Sequence, residues 1–272
     1  MSHPPGPPAE PRVLGLGRAQ VLPLLGVGLV SGFFAGLFGI GGGLVIVPAL
    51  VVLLRIEQKL AAGTSLLAIL PAASIAAASY ALEGSIDWPV AGLLAIGAIV
   101  GAQVGARLLQ RIPRRALQWI FVGFVTVMIV QLMFVIPDRG ADPGIDVARG
   151  VGLIVLGLVA GLLSAILGIG GGGVVVPVLM VWFGLGDLAA KGASLVMMLP
   201  GVISGLVANW RLKNVAVRAG LVVGASSLVS SPLGAWVAHL IPAQAGAWLF
   251  AAFLAFIGVS MLREALRPSP TV

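Results

Sequence analysis

Long apolar stretches separated by short polar loops dominate the chain. Spans such as Leu60–Leu82, Trp88–Leu109 and Ala116–Ile136 exceed the roughly 18 residues that indicate a transmembrane helix. Apolar residues make up 59% of the chain and charged residues only 9%, whereas soluble domains carry about 25% charged residues. The pattern therefore predicts an all-α polytopic membrane protein surrounded by the lipid bilayer.

An internal repeat divides the chain into two homologous halves. A shift of 129 positions places the sequence GIGGG at 39–43 on the identical sequence at 168–172. The same shift pairs GTSL at 63–66 with GASL at 192–195. One offset without a gap over about 75 residues is typical of a repeated structural unit.

Each half begins with an apolar stretch that is too long for one straight helix. Pro23–Leu54 and Val151–Phe183 would each extend roughly 48 Å, against a hydrocarbon core of ~30 Å. Every glycine at their centres also weakens a helix by nearly 1 kcal/mol relative to alanine. We therefore expect two short helices that meet at a glycine turn, as a re-entrant hairpin or as two short crossings. Three transmembrane helices follow in each half.

The loop charges favour an inverted arrangement of the two halves. If each broken element returns to the side from which it enters, thirteen Lys and Arg residues face the cytoplasm and only Arg139, Arg149 and Lys191 face outward. Eight single crossings would instead divide them nine against seven. The positive-inside rule selects the first arrangement, with both termini on the cytoplasmic side of a bacterial inner membrane. The second half is then inverted relative to the first, as in many secondary transporters.

These considerations divide the chain into five segments. The proline-rich residues 1–20 are predicted to form a disordered cytoplasmic tail, and residues 265–272 a second cytoplasmic tail. The first membrane repeat covers 21–137 and the second covers 151–264. An external linker, 138–150, joins them.

The two glycine turns form the predicted substrate-binding site. Unwound backbone inside a membrane is tolerated only where it is buried in protein or lines a polar cavity, and free N–H groups at a helix N-terminus attract anions. Tight helix packing is the alternative role of the glycines. The nearby hydroxyls either bind substrate or only cap a helix. The predicted substrate-binding residues are Gly39, Gly41, Gly42, Gly43, Thr64, Ser65, Gly168, Gly170, Gly171, Gly172 and Ser194.

The composition argues against several other functions. The chain has no cysteine and only two histidines, so no metal centre and no cofactor are predicted. The net charge of +7 arises from short loops between spans, which indicates membrane topology and not nucleic-acid binding. No charged residue lies clearly at the centre of a predicted span, which argues against a proton relay. Nothing in the sequence predicts an oligomeric state.

The repeated motif resembles a known family. The sequences GLFGIGGGLVIVPAL at 36–50 and AILGIGGGGVVVPVL at 165–179 resemble the sulfite exporter TauE/SafE family of bacterial membrane proteins. GTSLLAI at 63–69 and GASLVMM at 192–198 are similar to that family's second motif. The resemblance covers about residues 23–264. It implies a permease for sulfite, sulfonates or related organic anions.

The function indicated is a secondary transporter or facilitator of a small anion, and not an enzyme. A membrane potential that is negative inside drives anions outward by ~2.3 kcal/mol per charge per 100 mV, which favours export. A non-transporting scaffold, an intramembrane enzyme and an anion channel are the alternatives. Ala193 stands where the first half has Thr64, so the two half-sites need not be equivalent.

Overall fold

A computed structural model describes residues 18–134 and 146–266, which fold into helices joined by short turns. No strand occurs in these two ranges, which confirms the predicted all-α class. The helices are α1 (Arg18–Phe38), α2 (Gly43–Leu53), α3 (Gln58–Leu82), α4 (Trp88–Arg111), α5 (Arg114–Phe134), α6 (Val147–Leu167), α7 (Gly172–Trp182), α8 (Asp187–Arg211), α9 (Val217–Leu240) and α10 (Ala243–Leu266).

The helices repeat at the interval found in the sequence. Each of α6 to α9 begins and ends 129 positions after the corresponding helix among α1 to α4, and α10 begins 129 positions after α5. The two halves therefore contain the same five helices in the same order.

The predicted segment boundaries are only partly covered by the described residues. Most of the predicted tails, 1–20 and 265–272, and of the linker, 138–150, lies outside them. Where the boundaries are covered, the helices extend further than expected. α1 already begins at Arg18, and α6 begins at Val147, inside the predicted linker.

The broken element of each half is present, but its two arms differ in length. α1 has 21 residues and α2 has 11, which correspond to about 31 Å and about 16 Å of helix. Only the first arm is long enough to cross a membrane, so the expectation of two short helices is wrong for α1. Isolated glycines in α1, such as Gly28 and Gly32, contact α9 without interrupting the helix.

The two halves are interwoven. α1 packs along α9, and α6 packs along α4, so the first helix of each half contacts the fourth helix of the other. The third helices, α3 and α8, pack against each other. Such an exchange of equivalent contacts is what an approximate two-fold relation between the halves produces.

Glycines bring the exchanged helices into backbone contact. A Cβ atom on Gly101 of α4 would strike the carbonyl oxygen of Leu158 of α6, and one on Gly157 of α6 would strike that of Leu94 of α4. In lipid, where burial of apolar surface gives helices no reason to associate, close van der Waals packing of this kind holds them together.

The outer surface of the helices is apolar. Large side chains such as Phe256 and Val229 are 71% and 68% exposed. Within the described residues, seven helices have the length and hydropathy to cross a membrane. Soluble proteins rarely expose so much contiguous apolar surface. The chain is therefore a multi-pass membrane protein.

Replacing Gly101 by alanine should lower the thermal stability of the detergent-solubilised protein. The new methyl group has no room against Leu158, and overpacking of this kind costs about 1–3 kcal/mol. Gly92, on the same helix, is the matched control because its Cβ would meet nothing within 4 Å. Gly92→Ala should be neutral or slightly stabilising. Equal unfolding temperatures for the two variants would show that the α4–α6 contact is not tight.

Candidate functional site

Two glycine turns, residues 39–42 and 168–171, separate the arms of the broken elements. Each contains three glycines with positive φ, a region that residues with a Cβ rarely adopt. The φ angles are 69° at Gly39, 70° at Gly41, 78° at Gly42, 71° at Gly168, 80° at Gly170 and 86° at Gly171. The repeated GIGGG sequence is therefore required by the backbone conformation of the turns.

The two turns lie directly against each other. A Cβ atom on Gly43 would strike the carbonyl oxygen of Gly168, and one on Gly172 would lie only 2.5 Å from the carbonyl oxygen of Gly39. Any side chain at Gly43 or Gly172 would force the turns apart. The four residues thus join the turns of the two halves.

The short helices α2 and α7 begin at these turns. In α2, the N–H groups of Val45 and Ile46 donate to the carbonyl oxygen of Gly42, at 3.0 and 3.2 Å. α7 begins in the same way at Gly171. The N–H groups before these bonds have no acceptor within their helix. Each turn therefore presents N–H donors and the positive end of a helix dipole, which together suit an anion.

Ser65 and Ser194 connect each turn to the opposite half. The Ser65 hydroxyl donates to the carbonyl oxygen of Gly168, at 2.6 Å, and the Ser194 hydroxyl donates to that of Gly39, at 3.0 Å. Both serines are fully buried. The Ser65 oxygen also lies 2.7 Å from the carbonyl oxygen of Ala62 in its own helix, so its single proton is shared between that carbonyl and the turn. The two bonds hold the turns in place from both sides.

Thr64 lies apart from this cluster. Its hydroxyl donates to the carbonyl oxygen of Leu60, at 2.6 Å, and accepts from the N–H of Ala216, at 2.8 Å. It therefore anchors the start of α9 and does not face the turns.

The difference between Thr64 and Ala193, which occupy equivalent positions of the repeat, has a physical reason. In the first half, the Asp87 side chain caps α4 by accepting from the N–H of Val90, at 3.0 Å. The equivalent position in the second half is Ala216, which has no capping side chain. Thr64 anchors that loop from the other half. The corresponding loop of the first half has its own cap, so Ala193 needs no hydroxyl.

The predicted glycines do not all border the same part of the structure. A Cβ on Gly42 would lie 2.5 Å from the carbonyl oxygen of Ser31, and one on Gly171 would lie 2.9 Å from that of Ala160. These two glycines back onto the first helix of their own half. A larger residue there would disturb helix packing before it reached any ligand.

Two side chains that sequence reasoning missed cover the turns. Cβ atoms on Gly41 and Gly170 would both strike the terminal methyl group of Met198, and both would lie within 4 Å of Ile69. Ile69 and Met198 occupy equivalent positions, 129 residues apart, near the middle of α3 and α8. The repeat offset pairs them, but their apolar side chains gave no sign of a site.

A buried ion pair was also missed. Lys191 was expected among the external loop charges, but it is only 7% exposed, one helical turn inside α8. Its Nζ lies 3.3 Å from Oδ2 of the equally buried Asp187. A Cβ on Gly39 would lie 2.8 Å from the Lys191 Cα. The pair therefore lies beside the first turn.

The fold and the paired turns define a polytopic membrane protein in which two repeated halves join two helix N-termini. The chain belongs to the sulfite exporter TauE/SafE family, because the model of that family matches residues 6–132 and 153–271. This is a family of membrane transporters and not of enzymes. The protein is accordingly a multi-pass membrane transporter.

Full-length relatives carry transporter names. A probable membrane transporter protein of Haemophilus influenzae is 30% identical over 89% of this chain and 97% of its own length. The probable membrane transporter protein YunE of Bacillus subtilis is 25% identical over the same shares. A relative of the same description from Methanocaldococcus jannaschii is 26% identical over 89% of this chain and 96% of its own. No solved structure matches the chain significantly.

Replacing Thr64 by alanine should destabilise the protein, because the N–H of Ala216 loses its acceptor. A buried group left without a hydrogen bond costs about 1–3 kcal/mol. Adding Ala216→Asp should recover part of that loss, since it gives α9 the cap that Asp87 gives α4, worth about 0.5–2 kcal/mol. Thermal unfolding of the two variants measures the difference. Thr64→Ser, which keeps the hydroxyl, is the control. A double variant no more stable than Thr64→Ala would contradict this account of the loop.

Proposed function

We propose that the protein is a secondary transporter or facilitator of a small anion such as sulfite, a sulfonate or a related organic anion. The observation that carries the proposal is the contact between the two glycine turns, which brings the N-termini of α2 and α7 together. Two sets of N–H donors and two helix dipoles then act on the same small volume. The name of the family supplies the substrate class.

The proposed site uses the turn glycines and the serines differently. The N–H groups at Gly41, Gly43, Gly170 and Gly172 bind the anion. Ser65 and Ser194 hold the turn carbonyl oxygens, which fixes the direction of those N–H groups. Thr64 contributes only through the stability of the loop before α9.

We infer that the halves are inverted and that both termini are cytoplasmic in a bacterial inner membrane. The distribution of thirteen against three basic residues supports this orientation. The packing of α1 against α9 and of α6 against α4 agrees with a two-fold axis between the halves. The paired turns then lie near the bilayer midplane, where inverted-repeat transporters bind substrate.

Access to the turns requires movement of Met198 and Ile69. Their side chains cover Gly41 and Gly170, so the described arrangement is closed around the proposed site. A membrane potential negative inside favours outward movement of the anion, and export needs no coupling ion.

Transport by purified protein in sealed vesicles tests the proposal. Sulfite should enter in a saturable manner, and sulfonates or short carboxylates that bind the same turns should compete with it. Potassium flux should match that of protein-free vesicles. Sulfite entry no faster than in protein-free vesicles, with the competitors equally inactive, would exclude the proposed function. Turnover far above carrier rates would instead indicate a channel.

Replacing Met198 by leucine should raise sulfite flux several-fold at low substrate concentration. Leucine has a similar volume, so folding should cost less than about 1.5 kcal/mol, but its side chain ends one atom short of the turns. Met197→Leu, at an adjacent and equally buried position, is the matched control. Flux is expressed per folded molecule. Identical KM values for Met198→Leu and the wild-type protein would show that Met198 does not restrict access.

A further inference from the structure

One face of α3 and the equivalent face of α8 lead away from the paired turns. On α3, Ala62 and Ser65 contact the backbone of Gly168. Gln58 lies four positions before Ala62, and residues four apart share a helix face. We call Gln58, Ala62 and Ser65 the α3 stripe.

The α8 stripe consists of the equivalent residues Asp187, Lys191 and Ser194. Lys191 and Ser194 contact Gly39, at the other turn. A pocket of about 30 Å³ borders Asp187 and Lys191, and aromatic and aliphatic side chains form the rest of its lining. Such a volume holds a water-sized group. Each stripe thus joins one glycine turn to the N-terminal end of its helix.

The two stripes differ in charge at their outer ends. Asp187 and Lys191 form a buried ion pair, whereas the equivalent positions in the first half are Gln58 and Ala62. Gln118 lies in the first half at the position of Ala247, a residue that lines this pocket. It is 95% buried. At these two positions the first half therefore carries neutral amides, Gln58 and Gln118.

The Gln58 side chain is buried, and no described residue gives it a hydrogen bond. Its side chain is only 1% exposed, and both its Nε2 and Oε1 atoms lack a partner among the described residues. Leaving a buried polar group unpaired is unfavourable, so such a group calls for a specific explanation. Packing alone does not explain a glutamine at position 58, because a leucine would fill a similar volume without leaving buried polar atoms unpaired.

We propose that the Gln58 amide is a substrate contact on the route between the N-terminal end of α3 and the paired turns. When that route opens, the NH₂ group donates to an oxygen of the anion, and Oε1 accepts from a proton or water that the oxyanion carries. The amide has no charge, so it lowers the barrier to the turns without trapping the anion. This inference rests on the proposed transport of anions.

Two substitutions at Gln58 separate substrate contact from packing. Gln58→Leu removes both amide groups, and the unfolding temperature should be unchanged or higher. Sulfite flux in vesicles should nevertheless show at least a five-fold rise in KM. Gln58→Glu keeps the shape of the side chain but adds a negative charge, and flux per folded molecule should fall at least ten-fold.

Gln103→Leu is the matched control. The Gln103 side chain already donates to Ser204, at 2.9 Å, so its loss should lower thermal stability and leave the KM for sulfite unchanged. Saturable flux in the wild-type protein with an unchanged KM in Gln58→Leu would overturn the inference and leave the proposed function standing. Absence of saturable flux in the wild-type protein would overturn both.

Discussion

The structure depends on one backbone contact, that between the two left-handed glycine turns. Residues 39–42 and 168–171 touch so closely that neither Gly43 nor Gly172 can carry a side chain. The contact joins the two halves, breaks the first apolar stretch of each half and brings the starts of two short helices together. Within a membrane, backbone that lacks helical hydrogen bonds must be buried in protein or line a polar cavity. Packing, repeat symmetry and the proposed anion site therefore share one physical cause.

The repeat is exact in the boundaries of α1 to α4 against α6 to α9, but it is not exact in chemistry. Ser65 and Ser194 make equivalent hydrogen bonds to the opposite turns, so the parts that shape the centre are the same in both halves. The differences lie further out. Thr64 anchors the loop before α9, in the other half, whereas the equivalent loop of its own half is capped by Asp87. Gln58 is neutral, whereas Asp187, at the equivalent position of the second half, belongs to an ion pair. In the proposed inverted arrangement the two access routes would face different solutions, and such differences would let the two routes act differently.

The sequence was sufficient for the helices, the repeat and the position of the two glycine turns, because these follow from hydrophobic length, the repeated motif and glycine backbone freedom. It was not sufficient for side chains whose role depends on a neighbour in the other half. In the sequence Met198 cannot be told from any core methionine, and only the structure shows that it covers Gly41 and Gly170. In the sequence Lys191 cannot be told from a loop charge, because the burial of its pair with Asp187 depends on which other helices pack over it. The long first arm, α1, was also missed because glycines spaced along a helix can serve packing alone.

The central claim is that an anion binds to the N–H groups of the paired turns. Selenite resembles sulfite in shape and charge, and selenium scatters X-rays anomalously. A crystal structure of the protein soaked in selenite should show an anomalous peak between the turns, within hydrogen-bond distance of backbone nitrogens from residues 39–43 and 168–172. An ordered selenite that lies elsewhere in the membrane region, with the turns still closed against Met198, would contradict the account.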